Sequence, residues 1–167
     1  MTQSPSRWFL ASGSIRVAFT LMGIAILGIA IDRLLFLPVW NEGPWRLLGL
    51  VPLVLGIALE AAGIHAFWRH GRGTPHPLGH PERLVTQGPY SWSRHPLYVA
   101  RHFMLLGAAV LFGSLSILAL TIGLFLLVHS VMIPREEARL AARFGDLYEE
   151  YRRRVSRFVT LRRRDRG

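Results

Sequence analysis

Long apolar runs constrain this chain more than any other feature of its sequence. Residues 15–37 form a nearly unbroken stretch of 23, enough at about 1.5 Å per residue to cross a hydrocarbon layer of about 30 Å. A turn marked by Pro38, Asn41, Gly43 and Pro44 leads into a second run over 45–68. Trp40, Trp45 and Trp68 stand where a bilayer interface would hold them. Residues 97–133 are 37 mostly apolar positions, too many for one crossing, and Gly113, Ser114 and Ser116 divide them. The pattern predicts an all-α integral membrane protein with four transmembrane helices, over 15–37, 45–68, 97–112 and 115–133, the last two forming a tight hairpin. Composition agrees: 51% hydrophobic and 18% charged residues are too apolar for an ordinary soluble domain, and 167 residues suit one unit over 1–167. Arg7 and Arg16 resemble the basic start of a signal peptide, but no small-x-small cleavage site follows the long first run, which is read as a retained helix. Asp32 and Arg33 near its end read as an interfacial pair.

Beyond Pro134 the pattern changes. Leu140, Phe144, Leu147, Tyr148, Tyr151, Val155 and Phe158 form a helical stripe with charges between, predicting an amphipathic helix over 135–158 on the membrane surface, with Gly145 as a kink. The formal net charge of +10 comes from 20 basic residues, all arginine, and eight of them lie in 152–166. In so apolar a chain this bias is a topology signal, so nucleic-acid binding is excluded and Arg162–Arg164 are expected on anionic headgroups. With four spans, the amino terminus, the 69–97 loop and the carboxy terminus share one face and nearly all the arginine. The positive-inside rule makes that face cytoplasmic.

The 69–97 loop is too long for an idle connection and is where chemistry is expected. The absence of cysteine excludes disulfides, thiolate zinc sites and a catalytic thiol. Dinucleotide, P-loop and GxSxG signatures are also absent. His70, His76 and His80 sit on a proline-broken segment without an accompanying carboxylate motif, and no metal is predicted. Glu60 lies near mid-depth of the second span, where a carboxyl needs a partner or a wet cavity. A helical hairpin returns its ends to one membrane face, so His95 and Tyr98 before it should meet Glu136 and Glu137 after it. An imidazole, aromatic walls and carboxylates together suit a ligand with a positive centre and an aromatic base.

Residues 84–100, LVTQGPYSWSRHPLYVA, and residues 136–158, EEARLAARFGDLYEEYRRRVSRF, carry T-x-G-P-Y, R-H-P-x-Y, E-E-x-x-L, F-G and Y-x-x-Y-x-x-x-V in order around the hairpin. Over about residues 82–158 the chain resembles the isoprenylcysteine carboxyl methyltransferase and phospholipid methyltransferase group of integral membrane enzymes. The resemblance implies methyl transfer from S-adenosylmethionine to a lipophilic or membrane-accessible acceptor, a carboxylate, thiol or amine, at the cytoplasmic face. Carried over by motif, cosubstrate binding falls to Glu82, Arg83, Leu84, Val85, Tyr90, His95, Pro96, Leu97, Tyr98 and Glu136. Arg135 is the candidate for substrate binding. Glu137 and Glu60 are the candidate bases for an acceptor that must lose a proton.

Three positions depart from the family pattern: Arg101 stands where a small residue is usual, Met132 where the prenylcysteine enzymes carry an arginine, and 157–160 lack the usual proline. The competing readings are an NADPH-dependent membrane reductase related to sterol reductases, which share a similar R-H-P-x-Y pattern, and a non-catalytic membrane scaffold. The acceptor's identity and the oligomeric state stay open at this level.

Overall fold

The structure is a computed structural model describing residues 7–71 and 83–159, with side chains from residue 15 onward. It is built from helices throughout. Helix α1 (Arg7–Leu34) is followed by a 3-10 turn (Pro44–Gly49) that runs directly into α2 (Leu50–His70). A second 3-10 turn (Gly88–Ser91) precedes α3 (Pro96–Phe112), and α4 (Leu115–Leu127) continues through a π-turn (Val128–Met132) into α5 (Ile133–Phe144). Helix α6 (Asp146–Arg154) closes the order.

Three helical stretches are long and apolar enough to cross a membrane: Ile15–Leu34, Pro44–His70 and Leu115–Phe144. Only 6% of the apolar window of the first is buried inside the protein, so most of its hydrophobic surface is left for lipid. The stretch Pro96–Phe112 is apolar but shorter, and at about 1.5 Å per residue it falls short of a bilayer core of about 30 Å. The structure therefore departs from four equivalent spans. The expected surface helix over 135–158 is also divided. Its first part, α5, continues the rod begun by α4, and Gly145, with φ +53, separates it from α6. Pro134 has no N–H to donate back to residue 130, and the π-turn directly before it carries the helix past that defect.

Small residues let α2 and α3 approach closely. A Cβ on Gly49 would lie 2.5 Å from the Gly107 carbonyl oxygen, one on Gly56 2.6 Å from that of Ala100, and one on Gly63 2.6 Å from the Leu97 side chain. The seven-residue spacing of these glycines keeps one seam of the 3-10 turn and α2 against α3, and backbone contact replaces the hydrophobic drive that lipid does not provide.

At the far end from the 83–95 segment, α3 stops at Gly113, whose φ of +61 suits glycine, and Ser114 caps α4 by accepting from the Ile117 amide. Asp32 is more than an interfacial residue. It accepts from the Ser116 amide at 3.0 Å and from the Ser114 hydroxyl, fastening α1 to the amino-terminal end of α4. Asn41 donates to the Val110 carbonyl at 3.1 Å and the Trp40 amide to that of Gly113 at 3.2 Å. The turn after α1 and the tip of the α3–α4 hairpin thus lie together.

Candidate active site

At the other end of the hairpin, the segment before α3, the start of α5 and the chain after α6 converge. Pro96 opens α3, where its missing N–H costs nothing, and positions His95 immediately outside the helix. The tail runs beside this segment: the Arg94 amide donates to the Ser156 carbonyl at 3.0 Å and the His95 amide to that of Arg157 at 3.2 Å. The buried Ser93 hydroxyl also donates to the Arg157 carbonyl, at 3.1 Å.

Glu137 is the charge centre. Its Oε1 lies 2.8 Å from Arg94 Nη1 and 3.4 Å from His95 Nε2, and its Oε2 receives Arg157 Nη2 at 2.8 Å. Arg94 and Arg157 supply positive charge to this buried carboxylate, and His95 and Arg157 hydrogen-bond it. The same bond raises the pKa of Arg157. Glu136, one residue earlier and more exposed, brings Oε2 to 3.9 Å from His95 Nδ1. His95 stands between the two carboxylates, with its ring 5.8 Å from that of Tyr98.

Aromatic residues wall this centre. Tyr90 packs with Ala66 and Val85 and lies 6.4 Å from the Phe67 ring. The Tyr151 hydroxyl donates to the Tyr90 carbonyl at 2.7 Å, and Tyr148 accepts from Arg94 at 3.3 Å. Burial raises the pKa of Tyr90, with Glu136 adding to the effect, so its hydroxyl stays neutral.

The residues singled out from sequence fall into several groups. His95, Tyr98, Glu136 and Glu137 come together. Leu84 packs against the cluster of Tyr148, Tyr151 and Val155, and Val85 sits under Tyr90. Pro96 is fully buried, and Leu97 faces Gly63 of α2. Arg83 is exposed, its amide donating to the Gly71 carbonyl at 3.3 Å. Arg135 is exposed, its side chain outside the Glu137 cluster. Glu82, His76 and His80 lie outside the described residues. Glu60 is removed from the Glu137 cluster and joins Arg101 across the α2–α3 seam, with Oε1 receiving Nη2 at 3.0 Å and Nε at 3.3 Å. Glu60 Oε2 is buried without a hydrogen-bond partner among the described residues. Arg101 also lies 5.8 Å from the centre of the Tyr98 ring.

Sequence reasoning passed over Arg94, Arg157 and Tyr148. Arg94 is inside the quoted R-H-P-x-Y motif, so its adjacency to His95 was the available signal. Arg157 was hidden among the tail arginines.

No solved structure matches the chain significantly. Among curated proteins it is 40% identical over 79 residues to the protein-S-isoprenylcysteine O-methyltransferase of Schizosaccharomyces pombe, covering 47% of this chain and 33% of that protein. It is 38% identical over 73 residues to the Xenopus laevis protein of the same name, covering 43% and 25%. It is also 40% identical over 75 residues to the cobalt-zinc-cadmium resistance protein CzcN of Cupriavidus metallidurans, covering 45% and 34%. These matches span about a third or less of each relative's length. The phospholipid methyltransferase family profile matches residues 45–147, which is more than half of the chain and includes the 84–100 motif, the hairpin and both glutamates. The chain belongs to the phospholipid methyltransferase family.

Proposed function

We propose that this protein transfers a methyl group from S-adenosylmethionine to a lipophilic acceptor at the cytoplasmic face of a membrane. The observation that carries the reading is the convergence of His95 and Tyr98 with Glu136 and Glu137 across the hairpin, within a family of methyltransferases. The donor supplies a methyl group activated by a positively charged sulfonium. Glu136 suits that charge because its carboxylate stands at the edge of the centre, partly exposed, whereas both oxygens of Glu137 are already engaged. Tyr90, Tyr98 and His95 offer aromatic faces to the cation and the adenine. Leu84, Val85, Pro96 and Leu97 shape the backbone around them, and Glu82 and Arg83 extend the same segment.

Glu137 is best assigned as a positioning residue. Acting as a base would require it to exchange contacts with Arg94, His95 and Arg157 for a proton. Glu60 keeps one oxygen free but faces the α2–α3 seam, where holding Arg101 is its evident task. Arg135, exposed at the start of α5, retains a place only at the rim. Most of the acceleration in this reading comes from holding donor and acceptor in line.

The proposed topology lets α3 serve as a short fourth crossing. The 83–95 segment, the start of α5 and the tail then lie on the arginine-rich, cytoplasmic side, opposite the Trp40–Gly113 contact. The direct test is incubation of the purified full chain with methyl-labelled S-adenosylmethionine and a native membrane extract. Label should pass to an extractable lipophilic species and fall at least tenfold with Glu136→Ala. No transfer by the unaltered chain, or undiminished transfer by the variant, would contradict the assignment.

A further inference from the structure

Two imidazoles that the proposed cosubstrate site does not use lie beyond Tyr98, between α3, the α4–α5 rod and the tail. His102, one turn after Tyr98, donates from Nδ1 to the Tyr98 carbonyl oxygen at 2.7 Å. A carbonyl only accepts, so Nδ1 carries the proton and, in the neutral ring, Nε2 carries the lone pair. That Nε2 is buried and has no hydrogen-bond partner among the described residues, and the same is true of His129 Nδ1. Aromatic rings surround both imidazoles. His102 meets Phe125 edge-on at 5.4 Å, Phe125 stacks parallel to His129 at 6.0 Å, and Phe158 of the tail lies 5.6 Å from Phe125 and 5.5 Å from His129.

Several features make this cluster more than packing. A buried acceptor nitrogen is costly to leave unpaired, and here one faces an otherwise apolar aromatic cluster. His129 lies in the π-turn, a local geometry that recurs at functional sites. The aromatic cluster adjoins the proposed site, because Tyr98 packs with Val128, Ile133 and Phe158 while its ring also meets that of His95. It also reaches the protein surface: Phe125 is 40% exposed on an apolar helix whose outer surface suits lipid.

We infer that the methyl acceptor binds at this aromatic cluster, and that the acceptor is a lipophilic molecule whose reacting group is a proton-bearing nucleophile, hydrogen-bonded to His102 Nε2. The inference rests on the methyl-transfer reading and narrows it. A thiol, alcohol or amine brings the hydrogen that Nε2 lacks, whereas a carboxylate would set its own lone pairs against the lone pair of Nε2. In the transfer the nucleophilic atom bonds to the methyl carbon, and the electron pair of the breaking carbon–sulfur bond stays on sulfur, which becomes a neutral thioether. The proton leaves the nucleophile for His102 Nε2 and passes from the imidazolium to solvent.

The test uses the full chain in lipid nanodiscs, labelled with 15N-histidine and titrated with 1-dodecanethiol, dodecyl methyl sulfide or dodecanoate. The thiol should shift the His102 Nε2 resonance saturably, the signal being identified by its absence in His102→Phe. It should bind on the order of 3- to 10-fold more tightly than the sulfide, the effect of a single hydrogen bond. The preference should vanish in His102→Phe. The comparison of thiol with sulfide in the unaltered chain stands without any variant. Equal binding of sulfide or dodecanoate, or a His102 resonance that the thiol leaves unmoved, would overturn the inference. Calorimetry with S-adenosylmethionine on the same samples separates the two failures. Loss of donor binding removes the methyl-transfer reading, and a missing thiol preference with donor binding intact removes the acceptor-site assignment alone.

Discussion

Glu137 offers two carboxylate oxygens to Arg94, His95 and Arg157, and its neighbour Glu136 reaches the same imidazole from the other side. Adjacent residues on a helix diverge by about 100°, which is how two consecutive glutamates take one inward and one half-exposed position. The sequence made their meeting with His95 legible, because a hairpin must return its ends together. It did not reveal which carboxylate would be consumed by arginine, since Arg157 joins from the tail, 20 residues on. Glu137→Ala leaves Arg94 buried without its carboxylate and should lower stability by about 3–5 kcal/mol, as removal of one partner of a buried ion pair does. Thermal unfolding in nanodiscs checks this value. Glu136→Ala, at an exposed edge, should leave unfolding nearly unchanged. Equal destabilisation by both variants would contradict the division of roles. Glu60 and Arg101 were a conspicuous mid-span acid and a departure from the family pattern when read separately, and the structure joins them across one seam.

Helix-level features were read unevenly, for identifiable reasons. The reversal at Gly113 and Ser114 was visible because a left-handed glycine followed by a serine cap is a local signal. The continuity of α4 with α5 was not, because Pro134 ordinarily marks a boundary and only the π-turn carries the helix past it. The α2–α3 seam was also missed: Gly49, Gly56 and Gly63 look unremarkable in an apolar run until their partner helix is known. Gly56→Leu should push α2 away from α3 and destabilise by about 1–3 kcal/mol or more, since even a Cβ would sit 2.6 Å from the Ala100 carbonyl oxygen. Gly123→Leu on α4 is the contrasting case, because nothing lies within 4 Å of a Cβ there. Chemical or thermal unfolding of the two variants should separate them clearly. Similar losses would contradict the seam.

Across the whole molecule, hydrogen bonds tie the Trp40–Asn41 turn to the hairpin tip at one end and the tail to the residues before α3 at the other. The proposed orientation puts the first of these outside the cytoplasm and the second inside. The chain contains no cysteine, so single substitutions report topology against a clean background. Glu42→Cys should react with a membrane-impermeant maleimide on intact cells, whereas Thr86→Cys should react only after lysis. The reverse pattern would invert the orientation, and labelling of both from outside would remove the crossing between them. The apolar runs that limited the fold at the outset do not by themselves select a reaction; the site at the hairpin's returning ends does that. Calorimetry of the purified full chain with S-adenosylmethionine, with NADPH as the competing ligand, tests this assignment most directly. The account predicts saturable binding of S-adenosylmethionine that Glu136→Ala weakens at least tenfold, and no binding of NADPH. Binding of NADPH with no response to S-adenosylmethionine would contradict it.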